Sequence, residues 1–169
     1  PYLRGRMNDS KSYVTSFTLD KPIQSGMISE VIDSNHAVFK KGDFVMGNME
    51  WKEFQISDGK GLQKVDADFT ELTPHLGILG MTGITAYLGL TEIGVPKPGE
   101  TLVISGAAGA VGSVVGQIGK IMGCKVVGIT GSDEKVELLK SKFKFDKAIN
   151  YKTTPDLQKA IHESCPKGV

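Results

Sequence analysis

Residues 101–112, TLVISGAAGAVG, constrain this chain more than any other stretch: a short β-prone run enters glycines and alanines and passes directly into a helical pattern. A strand, a tight turn and a helix N-terminus in that order build a phosphate site. The chain must turn sharply, the backbone must come close to a pyrophosphate, and the helix must lie tightly on its strand, so three positions tolerate little or no side chain. Ala107, Gly109 and Gly112 meet these demands in order. The helix behind them aims free backbone N–H groups and the positive end of its dipole at the anion.

A glycine pattern alone is weak evidence, because Gly112, Gly116 and Gly119 also suit a helix held close to a neighbour. Its surroundings add weight. Val111, Val114, Val115, Ile118, Ile121 and Met122 are predicted to share the core face of the helix, with Ser113, Gln117 and Lys120 opposite and Gly123 ending it. A second strand is predicted at 125–130, so the motif opens a βαβ unit. A second helix follows over 133–143, with Ser132 as N-cap and Val136, Leu139 and Phe143 turned to the sheet and Leu138 beside them. A third strand at 147–151 and a helix over 155–164 complete one mononucleotide half of a doubly wound sheet. The glycine-bearing strand is central in such a sheet, and with later strands absent its outer edge would be unpaired. The chain starts at Pro1 without Met and stops at Val169 where another strand is expected, so it reads as part of a longer enzyme with an incomplete Rossmann sheet.

Ahead of this unit the pattern is β-rich, with strands predicted at 26–32, 44–46 and 51–56 and a turn at Gly42-Asp43. Helical spacing appears at 72–79, where Pro74 can start a helix, and at 85–93. The segment 95–99, VPKPG, breaks all periodicity, and the domain junction is expected there, dividing 1–98 from 99–169.

Composition excludes several classes. Among 169 residues, 20 basic and 19 acidic side chains leave a net charge of +1, which gives no footprint for nucleic acid. Cys124 and Cys165 lack metal-type spacing and suit a reduced, cytoplasmic protein. The longest apolar run, 102–119, is broken by glycines, Ser105, Ser113 and Gln117, so no membrane span is expected. His36, His75 and His162 sit in unrelated contexts, and no metal site is expected. Nor is there a Gly-x-Ser-x-Gly elbow for hydrolase chemistry.

The end of the second strand selects the dinucleotide. An NAD site places Asp or Glu there, about 20 residues past the glycines, on the ribose 2′-hydroxyl. Here Gly131-Ser132 leaves room and supplies donors, Lys135 lies one turn into the next helix, and Tyr151 ends the neighbouring strand. These residues favour the 2′-phosphate of NADP. Lys135 on a solvated helix face and Tyr151 as a packing residue are the plainer alternatives. Asp133 and Glu134 are assigned to the helix dipole.

Five segments together carry a wider likeness: 1–7 (PYLRGRM), 76–87 (LGILGMTGITAY), 106–112, 131–136 (GSDEKV) and 150–152 (NYK). The chain resembles the zinc-independent medium-chain dehydrogenase/reductases, nearest the prostaglandin reductases, leukotriene hydroxydehydrogenases and plant 2-alkenal reductases. The resemblance implies an incomplete GroES-like domain ahead of the Rossmann domain, and NADPH-dependent reduction of the C=C bond of enals and enones by hydride transfer to the β-carbon. It implies a homodimer when full length. It puts Gly106, Gly109, Ala110, Val111 and Gly112 at the pyrophosphate, Lys135 and Tyr151 at the 2′-phosphate, Met81 through Thr85 near the nicotinamide, and Tyr2 at the substrate. The rivals are a quinone reductase of the same superfamily and a non-catalytic NADPH-binding protein. Met81-Thr82-Gly83 replaces the Met-Pro-Gly of several relatives, and Ser25-Gly26-Met27 lacks the aromatic of plant relatives, so substrate preference does not carry over.

Overall fold

The computed structural model describes residues 3–9 and 11–168. The chain forms two compact units, residues 1–76 and 77–169.

The first unit opens with a single helical turn, α1 (Leu3–Arg6), and is built on β1 (Gln24–Glu30), β2 (Phe44–Glu50) and β3 (Gln63–Val65), with β2 in the middle. All pairing is antiparallel: Gln24 faces Glu50, Met27 faces Gly47, and Phe44 faces Val65. Gly42 turns the chain into β2 at φ +88°, and the ladder continues past β1 as Val31 N–H donates to the Asp43 carbonyl at 2.8 Å. Phe39, Val45 and Met49 are buried beneath the sheet's irregular connections. A 3₁₀ turn, Thr73–Leu76, closes the unit.

The strand expected at 51–56 does not form. Trp51 N–H closes the ladder on the Ile23 carbonyl, and Lys52 N–H turns back to the Glu50 carbonyl. Phe54 and Ile56 then lie exposed beside no partner strand. The third strand is instead the polar segment Gln63–Val65.

The second unit contains α2 (Met81–Leu88), a π-helical turn (Gly89–Gly94), β4 (Thr101–Ile104), α3 (Gly112–Ile121), β5 (Lys125–Thr130), α4 (Asp133–Ser141), β6 (Lys147–Asn150) and α5 (Leu157–Ser164). The sheet is parallel in the order β4-β5-β6, with Thr101 opposite Lys125 and Val127 opposite Lys147. Its strands are nearly continuous in apolar residues, as a sheet covered on both faces requires. On one face Ile104, Ala107, Cys124, Val126, Leu139 and Phe145 form a core with Val115 of α3. On the other, Val127, Ile149 and Cys165 pack with Leu157, Ala160 and Ile161 of α5. Helices therefore cover both faces, the doubly wound arrangement of a Rossmann unit. No helix among the described residues is long and apolar enough to cross a membrane.

Two expectations shift, the helical spans and the core face of α3. The helical spans 72–79 and 85–93 become the 3₁₀ turn, α2 and the π turn, because Gly77 and Gly80 interrupt them: Gly80 and Gly83 N–H both donate to the Gly77 carbonyl. By packing, α2 lies against α3 and so goes with the second unit, ahead of the Pro-rich segment at 95–99. On α3, Ile121 is 85% exposed, and the buried positions are Gly112, Gly116 and Gly119. A Cβ at Gly119 would stand 2.7 Å from Leu102 Cδ2, and one at Gly116 would enter the Phe145 ring. The glycines are what bring this helix down onto the sheet.

Asp146 fastens α3 to β5. Its carboxylate accepts from Lys120 Nζ at 2.8 Å and from the N–H of fully buried Val126 at 2.6 Å. Burial pushes the carboxyl up, but Lys120 and the Val126 N–H together outweigh it and hold it below the usual carboxylate range. A carboxyl whose folded pKa is depressed adds stability above its unfolded pKa and loses it as pH falls through the folded value. We expect Asp146→Ala to destabilise by about 1–3 kcal/mol at pH 7, the cost of a stranded buried donor. Urea unfolding should show the gap to wild type narrowing below about pH 4. A gap independent of pH would remove the carboxylate from this role.

Candidate functional site

The glycine turn begins where β4 ends. Gly106 adopts φ +57°, a conformation that a side chain strains. Ala107, expected to make that turn, is instead fully buried and donates its N–H to the Ile129 carbonyl of β5 at 3.0 Å. Its small side chain serves packing, since a Cβ on Gly128 would stand 2.9 Å from that of Ala107. Gly109 N–H returns to the Gly106 carbonyl at 2.8 Å, tightening the loop.

The next three N–H groups, on Ala110, Val111 and Gly112, have no acceptor among the described residues. They are the unpaired donors that the start of α3 must leave. A Cβ on Gly112 would lie 2.6 Å from the Gly106 carbonyl oxygen and 2.9 Å from Ala107 Cα, and one on Gly109 would lie 3.0 Å from that oxygen. The loop can close this tightly only because these positions lack side chains. Unpaired donors, a helix dipole and a side-chain-free cradle fit a dinucleotide pyrophosphate.

A second cluster stands beyond β5. Ser132 caps α4, its Oγ accepting from Lys135 N–H at 3.4 Å. The Ser132 hydroxyl also holds the Glu134 carboxyl below the usual carboxylate range. Asp133 accepts at Oδ1 from the amide of Asn150 at 2.7 Å. Asp133 is therefore engaged by a side-chain hydrogen bond, while Glu134 is exposed. Lys135 is exposed and forms no salt bridge among the described residues. Tyr151 is half exposed just past β6, and a Cβ on Gly131 would meet its ring at 3.1 Å and its hydroxyl at 3.2 Å. The glycine there makes room for the phenol.

Sequence reasoning assigned no role to Lys152, whose Cε would stand 3.4 Å from the same Cβ. A second ammonium stem therefore joins this corner. Its only signal was its place after Tyr151. Gly131, Ser132, Lys135, Tyr151 and Lys152 supply donors and cations with no free carboxylate among them, which fits a phosphomonoester.

The segment expected near a nicotinamide is the start of α2. Met81 is largely exposed, and the Thr85 hydroxyl donates to the Met81 carbonyl at 2.6 Å. Thr82 is buried and donates to the Gly77 carbonyl at 2.9 Å, a bond that a proline at that position lacks. Gly83 lies directly against the Ile78 carbonyl, where no side chain fits. Tyr2, expected at the substrate, lies outside the described residues.

The histidines stay apart. His36 stacks on Phe39 after β1, His75 belongs to the 3₁₀ turn and His162 to α5. No three potential metal ligands gather among the described residues.

Comparison with known proteins agrees with this layout. A model of the N-terminal domain of oxidoreductases matches residues 1–65, and one named zinc-binding dehydrogenase matches 110–169. The chain is 58% identical over 170 residues to YfmJ of Bacillus subtilis, named as an NADP-dependent oxidoreductase, covering all of this chain and 50% of that protein. It is 46% identical over 171 residues to the NADP-dependent 2-alkenal reductase of Nicotiana tabacum, with the same coverage. The crystal structure of CurA from Vibrio vulnificus in complex with NADPH superposes on 99% of this chain and 50% of its own, at 41% identity and a TM-score of 0.86. The chain thus spans about half the length of these relatives.

Proposed function

Because the chain belongs to the medium-chain dehydrogenase/reductase family, in the branch of the 2-alkenal and prostaglandin reductases, we propose that it serves an NADPH-dependent reductase of the C=C bond of α,β-unsaturated aldehydes and ketones. The observation that carries this reading is a pair of sites in one unit: a glycine-lined cradle with three N–H groups that have no acceptor among the described residues, and a cationic corner whose neighbouring Asp133 is held by Asn150.

In this reading Ala110, Val111 and Gly112 bind the pyrophosphate through their N–H groups. Gly106 and Gly109 keep the approach open, and Ala107 anchors the loop to β5. Gly131 and Ser132 leave room for the 2′-phosphate, while Lys135 and Tyr151, with Lys152, bind it. Bound NADPH supplies a hydride from nicotinamide C4 to the β-carbon of the substrate, and the α-carbon takes a proton. The chain's part is to hold the two partners in reactive contact, which lowers the barrier by removing the entropy of encounter. Met81 and Thr85 border the nicotinamide, and Tyr2 faces the substrate. Functionally, residues 1–98 serve the substrate and 99–169 the cofactor, in a cytoplasmic homodimer.

The protein given NADPH with 2-nonenal, a benzoquinone and a saturated ketone in parallel should consume the cofactor with the enal and leave the ketone untouched, followed by NADPH absorbance. Turnover confined to the quinone would assign it to the quinone reductases. Binding of NADPH with no turnover on any of the three would make it a non-catalytic cofactor-binding protein.

A further inference from the structure

Asp133 and Glu134 stand in the first turn of α4, beside the corner that the reading above gives to the 2′-phosphate. A phosphomonoester carries close to two negative charges at neutral pH, so a carboxylate free to swing into that corner would oppose it. Such a carboxylate would suit a ribose 2′-hydroxyl instead. Cofactor choice therefore depends on where these acids are held.

Asn150, at the end of β6, is 8% exposed, and its side chain makes two hydrogen bonds. Its Nδ2 donates to Asp133 Oδ1 at 2.7 Å, and its Oδ1 accepts from Lys152 N–H at 3.1 Å. A carboxylate can only accept and a backbone N–H can only donate, so one orientation of the amide satisfies both. The first bond secures Asp133 across 17 positions of sequence. The second fixes the backbone from which the Tyr151 and Lys152 side chains depart.

We propose that Asn150 is a positioning residue for cofactor choice: it holds the Asp133 carboxylate out of the anion corner and leaves Lys135, Tyr151 and Lys152 unopposed. The inference rests on the NADPH reading. It makes the corner's selectivity a property of a buried amide that touches no cofactor, in addition to the cations at its rim.

The test is equilibrium binding of NADPH and NADH to the protein, by fluorescence titration, for three single and two double variants. Asn150→Leu removes the clasp and should weaken NADPH about tenfold, as the freed carboxylate can swing toward the phosphate, while NADH changes less than about twofold. Asn150→Ser should act likewise, because its hydroxyl can still accept from Lys152 N–H but is too short to reach Asp133; it serves if the leucine variant does not fold. Asp133→Asn alone should bind NADPH as wild type does. Adding Asp133→Asn to either Asn150 variant should restore NADPH affinity to within about threefold of wild type, since the repelling charge is gone. Equal losses for both cofactors, or no recovery in the double variant, overturn the clasp while leaving the NADPH reading in place. A wild type that binds NADH as well as NADPH overturns the NADPH reading and the clasp with it.

Discussion

Gly112→Ala should weaken NADPH binding by about 100-fold or more, the equivalent of one to two charge-assisted hydrogen bonds. The added Cβ would lie 2.6 Å from the Gly106 carbonyl oxygen and 2.9 Å from Ala107 Cα. Both are backbone atoms of the cradle itself, so relief must come from moving the loop, and the N–H groups of Ala110 to Gly112 move with it. The unfolding midpoint should fall by the usual cost of overpacking, about 1–3 kcal/mol. Gly119→Ala is the control, because its Cβ would meet side chains, Leu102 at 2.7 Å and Val126 at 3.3 Å. That variant should lose stability and keep its affinity for NADPH. If titration and thermal unfolding show both variants losing affinity alike, the glycines of α3 act only in packing the helix on the sheet.

The contrast between these two glycines also explains how far the sequence could be read. The order of strands and helices from Thr101 to Ser164 was legible, because buried parallel strands are apolar throughout and Gly123 and Ser132 mark helix ends with their own chemistry. The buried face of α3 was legible only in part, since Val115 and Met122 do pack on the core. Hydropathy weighs side chains, so it turned Ile121 inward, whereas a helix in close contact buries the residues that have none. The cradle was visible as a glycine run, but the turn fell on Gly106 rather than Ala107, since a positive φ is a property of one backbone position and alanine differs from glycine there by a single methyl group. In the first unit, Phe54 and Ile56 alternate like a strand, yet pairing requires a partner whose place no local pattern records. Gln63–Val65 lacks an apolar signal for the same reason: its strand is defined by the register of Phe44 to Met46. The Asp133 acceptor of Asn150 and the reach of Lys152 are tertiary facts, and a motif of three residues gives no distance to Asp133 or Gly131.

Lys135 is the residue whose replacement should most sharply separate the two nicotinamide cofactors. It is exposed, one turn into α4, with no ion pair among the described residues to hold it elsewhere. Its backbone N–H is committed to the Ser132 cap, so the helix start is fixed while the ammonium remains available. Removing the charge with Lys135→Ala forfeits one charge-assisted bond to the 2′-phosphate, about 1.5–3 kcal/mol, and NADPH affinity should fall about 10- to 100-fold. NADH has a hydroxyl at that position and should lose less than about twofold. Reversing the charge with Lys135→Glu adds repulsion and should exceed 100-fold for NADPH, by roughly the like-charge energy of a solvent-exposed pair. Raising the salt concentration should shrink the penalty of the glutamate more than that of the alanine, because only the former contains long-range repulsion. Equal losses for NADPH and NADH in either variant would place Lys135 on a solvated helix face and leave Tyr151 and Lys152 to hold the phosphate.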